Sequence, residues 1–74
     1  MKFPRRETVE HIRQEYPVGC RVELLRMDDP HAPPIGTKGI VRGVDDSGSI
    51  MVAWDGGGSL HVLYGVDECR KVVE

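Results

Sequence analysis

The apolar residues change period around residue 19, and that change limits the folds open to this chain more than any other feature. Ahead of it, Val9, Ile12 and Tyr16 recur at helical spacing. Pro4 suits a first-turn position, where a missing N–H costs nothing, and Pro17 and Gly19 end the helix. Behind it, apolar residues alternate with polar ones, and glycine-rich turns cut the alternating part into short runs. The pattern predicts a single domain over residues 1–74, with a helix at 4–16 and β-structure over 19–74.

Residues 20–27 form the first run, with Val22 and Leu24 on one face and Arg21 and Glu23 on the other. Residues 28–38 (DDPHAPPIGTK) follow. Their three prolines rule out a central strand, because proline donates no ladder hydrogen bond. In residues 39–45, Val41 and Val44 are three apart, so a β-bulge at 42–43 is expected to keep both valines inside. Residues 46–48 read as a tight turn, 49–55 as a strand with Ile50, Val52 and Trp54 inward, and 56–58 as a second turn. Residues 59–64 alternate again, 65–69 suit one 3₁₀ turn, and 70–73 close the chain as a last strand. This order predicts a mainly β fold: a small five-stranded SH3-like barrel preceded by a short N-terminal α-helix.

At 74 residues the chain is near the lower limit for unassisted folding, and it buries only about 60% of its extended surface. A deep catalytic cavity is not expected. Twelve acidic side chains outnumber ten basic ones, and the formal net charge of -2 lacks the basic surplus of a phosphate-neutralising protein. The charge is nevertheless polarised. Residues 1–26 hold six basic side chains against four acidic ones, and residues 27–74 hold four against eight. The two cysteines, Cys20 and Cys69, form no CxxC pair. No run resembles a signal peptide or reaches the ~20 apolar residues of a membrane span, so a cytoplasmic protein with free thiols and no membrane partner is expected.

Motifs for chemistry are sparse. His11, His31 and His61 share no metal-ligand spacing, so no metal or other cofactor is expected. Ser47, Ser49 and Ser59 lie outside any G-x-S-x-G elbow, Cys20 and Cys69 lack an evident base, and no catalytic residue is assigned. Trp54 alternates with Ile50 and Val52 and reads as core. Asp28, Asp29, Asp45, Asp46, Asp55 and Asp67 flank turns, where carboxylates cap backbone N–H groups; a cluster of them would suit a cation or a basic peptide. Arg5, Arg6 and Arg13 on the helix are candidate nucleic-acid contacts, interleaved with Glu7, Glu10 and Glu15.

Tyr16-Pro17, Gly19, Arg21-Val22, Met27, Asp29-Pro30, Pro34, Gly36-Thr37, Gly39, Val41, Val44-Asp45-Asp46, Gly48, Trp54-Asp55, Gly57 and Gly65 together resemble a small bacterial and mobile-element family known only as a domain of unknown function. Trp54, Asp55 and Gly57 are also similar to the Trp-Asp-x-Gly turn of SH3-like modules of the Mind-bomb type, and that likeness implies a peptide from a protein partner. Residues 36–41 (GTKGIV) are similar to the Gly-x-Val core of KOW modules, which implies contact with RNA or ribosomal protein. The expected function is a non-enzymatic protein- or peptide-interaction module, an accessory or regulatory protein of a mobile element or phage. Its contact residues are expected to be Asp28, Asp29, Pro30, His31, Pro34, Asp45, Asp46 and Asp55. The alternative is a KOW-like nucleic-acid contact through Arg5, Arg6 and Arg13. The narrow stripe of Val9, Ile12 and Tyr16 also suggests a homo-oligomer through the helix.

Overall fold

The computed structural model describes residues 5–58, 60–63 and 65–73: one short helix ahead of a four-stranded antiparallel sheet. Helix α1 covers Arg6–Glu15, with Glu7 in the first turn and Arg13 in the last, the charge sense that complements the helix dipole. Arg5 is the N-cap and makes no side-chain capping bond; Pro4 lies outside the described residues. A ten-residue helix is marginal alone, so α1 depends on packing. Val9 and Ile12 supply it, buried in the chain's own core with Tyr16 half-buried beside them. The stripe that suggested a second copy is therefore largely covered within this chain.

Strands β1 (Arg21–Arg26), β2 (Lys38–Val44), β3 (Ile50–Trp54) and β4 (Glu68–Lys71) stand in the order β3-β2-β1-β4. The sheet is open, with β3 and β4 at its edges. The bulge expected at 42–43 is present as a register shift between Val41 and Gly43, and it leaves Val41 and Val44 both buried. A second shift, between Leu24 and Arg26 where β1 meets β4, leaves Leu25 unpaired and 42% exposed. Inward residues from β1, β2 and β3, chiefly Val22, Leu24, Val41, Val52 and Trp54, form the core with Val62.

Gly39 marks the closest approach between β2 and β3. A Cβ there would lie 2.5 Å from Val52 Cγ1, 2.8 Å from the Ala53 carbonyl oxygen and 2.9 Å from Trp54 Cε3. The Trp54 ring, 4% exposed, occupies the space that any side chain at residue 39 would contest. Core placement of the tryptophan is thus as expected.

The strand expected over 59–64 is reduced, among the described residues, to one isolated bridge between Ile50 and Val62; Ser59 and Tyr64 lie outside them. The two backbone bonds of that bridge are each 2.9 Å. Continued at this register, the ladder would give the Leu60 carbonyl to the N–H of Val52. The indole N–H of Trp54 donates to that carbonyl instead, at 2.9 Å. The last strand also begins earlier than expected, at Glu68 rather than residue 70. Asp67 explains the shift. Its carboxylate accepts from the Leu63 N–H at 2.9 Å, while the Val66 and Asp67 N–H groups donate to the Leu63 carbonyl, so the turn closes by residue 67.

The close approach at Gly39 carries a direct prediction. Gly39→Ala should lower the unfolding free energy by about 2 kcal/mol or more, because two of the three opposing atoms belong to the backbone and a buried ring. Gly56→Ala, which meets nothing within 4 Å, should stay within about 0.5 kcal/mol of the parent. Urea unfolding of the two variants side by side checks this; equal midpoints would show that β2 and β3 are not so closely packed.

Candidate functional site

The proline-rich segment is held in a defined shape. Asp29 caps its own turn, accepting from the His31 N–H at 2.7 Å, and the Ala32 N–H donates to the Asp29 carbonyl at 2.9 Å. Farther on, the N–H and hydroxyl of Thr37 both donate to the Pro34 carbonyl. Gly36, at φ +93°, lets the chain turn back so that its N–H reaches the Leu24 carbonyl at 2.8 Å. The Leu24 N–H donates to the Thr37 carbonyl at 2.8 Å, which anchors the segment's end along β1.

A groove of about 500 Å³ lies between the start of this segment and residues 60–67. That size falls within the ~300–1,000 Å³ range of ligand-sized clefts. Met27, Leu60, Leu63 and Val66 give it an apolar floor, and Asp28, Asp29 and Asp67 lie along it. Leu60 is shared with a smaller recess of about 190 Å³, lined by His31, Pro33, Pro34, Trp54 and the glycines of the turn after β3. The consecutive positive φ angles of Gly57 (+92°) and Gly58 (+88°) make that turn tight enough to lie beside the prolines.

Of the expected contact residues, Asp28, Asp29 and Pro30 line the groove, and His31 and Pro34 line the adjoining recess. Asp45 and Asp46 do not join them. They sit in the turn before β3, whereas the glycine turn follows β3, and a five-residue strand separates its ends by about 16 Å. Asp45 serves its own turn: one carboxylate oxygen accepts from the Ser47 hydroxyl at 2.6 Å and from the Ser47 and Ser49 N–H groups at 3.0 Å. The Ser47 hydroxyl is the main cause that holds this carboxyl below the usual range, against an opposing effect of burial. Asp46 accepts from Arg13 at 3.0 Å. Asp55 receives both terminal nitrogens of Arg21 at 2.9 Å, and that forked contact is the main cause of its lowered pKa.

The family model for a domain of unknown function, DUF4314, matches residues 5–72 of this chain. The chain belongs to the DUF4314 family. The match takes in α1, which the resemblance drawn from residues 16–67 left aside. No curated protein matches the chain.

In this DUF4314 domain two of the three expected arginines of α1 have partners within the chain. Arg13 donates to the Val44 carbonyl and to Asp46, tying the helix to the end of β2, and Arg6 pairs with Glu10 at 3.6 Å. Arg5 remains exposed at the helix start. Among the described residues no three His, Cys, Asp or Glu side chains gather as metal ligands. Burial raises the Cys20 thiol, and pushes the Cys69 thiol up to about 11 with a smaller contribution from Cys20, so neither favours the thiolate at neutral pH.

Met27, Leu60, His61, Leu63 and Val66 line the groove without having been expected as contacts, and Asp67 was expected only as one of the turn carboxylates. A signal was available at Leu63, which is apolar at a position that strict alternation assigns to the outside. Val66, 61% exposed within a turn, is a second such signal.

The Asp45 turn is testable by acid. Asp45→Ala should cost about 2 kcal/mol, because three donors lose a charged acceptor. Asp45→Asn isolates the charge. A folded-state pKa below the unfolded value contributes stability above the unfolded value near 3.9, and that contribution is lost as pH falls through the depressed folded value. The parent's advantage over Asp45→Asn should therefore be full above about pH 5 and shrink below about pH 4. Thermal melts of both proteins across that range check it; an advantage that persists undiminished to the acid limit would contradict the turn.

Proposed function

We propose that this DUF4314 domain is a non-enzymatic interaction module of SH3-like barrel type that binds a peptide segment of a protein partner. In this reading the bridge at Ile50 and Val62 marks the fifth barrel strand among the described residues, and the groove beside it takes the ligand. One observation carries the proposal: an apolar floor of Met27, Leu60, Leu63 and Val66 lies open between two hydrogen-bonded walls. Leu63 is 46% exposed and Val66 61%, although eleven apolar side chains are buried among the described residues. Exposed apolar residues gathered along a groove commonly mark an interaction surface. The proposed contact surface narrows accordingly to Asp28, Asp29, Pro30, His31 and Pro34, without Asp45 and Asp46 in their turn and without Asp55, which is paired with Arg21 outside the groove lining. An accessory or regulatory role in a bacterial mobile element or phage is the setting that the family resemblance suggests.

Nucleic acid is the weaker reading, because Arg13 donates to Asp46 and to the Val44 carbonyl and the chain carries a formal net charge of -2. The test uses the full chain and a displayed library of random dodecapeptides. Selected peptides should shift backbone amide resonances of residues 27–34 and 60–67. A double variant, Leu63→Ser with Val66→Ser, should fold normally, since both side chains are already exposed, and lose at least about tenfold in affinity. Peptides that bind the double variant undiminished, or shift only α1, would remove the groove as the site.

A further inference from the structure

We infer that the segment received by this groove is cationic as well as apolar: a short partner run with apolar anchors flanked by lysine or arginine. The inference rests on the peptide-binding reading above and adds the chemistry of the partner. The groove lining carries three carboxylates, Asp28, Asp29 and Asp67, and no lysine or arginine. Past Leu63 and Asp67 it continues into a second recess of about 420 Å³, where Glu68 adds a fourth carboxylate and Leu25 a further exposed apolar side chain. The two recesses share Leu63 and Asp67, so apolar and acidic side chains line both.

The rim is fixed without being neutralised. Asp29 and Asp67 each accept a backbone N–H, from His31 at 2.7 Å and from Leu63 at 2.9 Å, which orients the carboxylates but leaves their charge in place. His31 Nδ1 lies 3.5 Å from Asp29. Arg26 approaches Asp28 only to 3.8 Å, with 62% and 85% of the two side chains exposed, a geometry that contributes little. Contrast the turn carboxylates elsewhere: Asp46 and Asp55 are each matched by an arginine of this chain at about 3 Å. The carboxylates of the rim are the ones that a partner's cations can engage. A purely apolar segment would leave them without a counter-charge, and an anionic surface would be repelled.

The experiment reads the composition of the peptides selected from the random dodecapeptide library, and then the salt dependence of the best binder. Selected peptides should be enriched in lysine or arginine beside apolar anchors, and their affinity should fall steadily with added salt. Asp28→Asn with Asp67→Asn should weaken binding about tenfold and flatten the salt dependence, while the melting temperature stays close to the parent's; asparagine still offers an acceptor to the Leu63 N–H. Selected peptides without basic enrichment, bound independently of salt and still reporting on residues 27–34 and 60–67, would overturn the cationic inference and leave the groove reading standing. No selected binder at all would overturn both. A dimer of the protein alone in sedimentation, abolished by the same asparagine pair, would instead seat a second copy's basic head in the groove and overturn the partner assigned here.

Discussion

Trp54 connects most of the structure. Its ring lies against Gly39, where β2 and β3 come too close for a Cβ, so the sheet's tightest contact is also its largest aromatic burial. From there the indole N–H reaches the Leu60 carbonyl. A buried indole needs an acceptor. Taking the Leu60 carbonyl satisfies it, and the same bond diverts that carbonyl from the backbone ladder. The indole bond thus joins the Ile50–Val62 bridge and the Trp54 N–H to Gly58 carbonyl bond in tying the chain after β3 back to that strand.

The carboxylates divide according to what surrounds them. Asp45 is enclosed by the donors of its own turn, and its capping role follows from the spacing of Ser47 and Ser49 behind it. Asp46 and Asp55 are answered by arginines from distant parts of the chain, which tie α1 to the end of β2 and β1 to the end of β3. These contacts are exposed, so they fix orientation more than they stabilise. Asp28, Asp29 and Asp67 border an open apolar surface, where Arg26 comes no nearer than 3.8 Å to Asp28 and His31 Nδ1 lies 3.5 Å from Asp29. Spatial neighbours, not residue type, separate these carboxylates.

Much of this was legible in the residues. The bulge followed from Val41 and Val44 being three apart, since both could face inward only if one residue was absorbed. The irregular proline-rich segment followed from missing N–H donors, and the tryptophan's burial from its place in an alternating run. The helix bounds came within two residues because proline and glycine flank it. The strand expected over residues 59–64 is present, among the described residues, only as the bridge at Val62, although the alternation there is real: Val62 does face inward and does pair with Ile50. What alternation could not register was a side-chain donor competing for a backbone acceptor. The candidate site was legible by halves for the same reason. Its proline-rich wall is local in sequence, but the opposing wall depends on how residues 60–67 are placed by Trp54 and closed by Asp67.

The unfinished ladder and the groove are two consequences of one constraint. Had residues 59–64 paired along the whole of β3, Leu60 would have turned fully into the core and the Leu63 side would have formed a flat, ordinary sheet face. With the Ile50–Val62 bridge and the indole bond among its described contacts, Leu60 stays half-buried and is shared by two recesses, with Leu63 and Val66 exposed beside it. A chain of this size has little interior to spare for a pocket, and a surface groove made from incomplete pairing requires none.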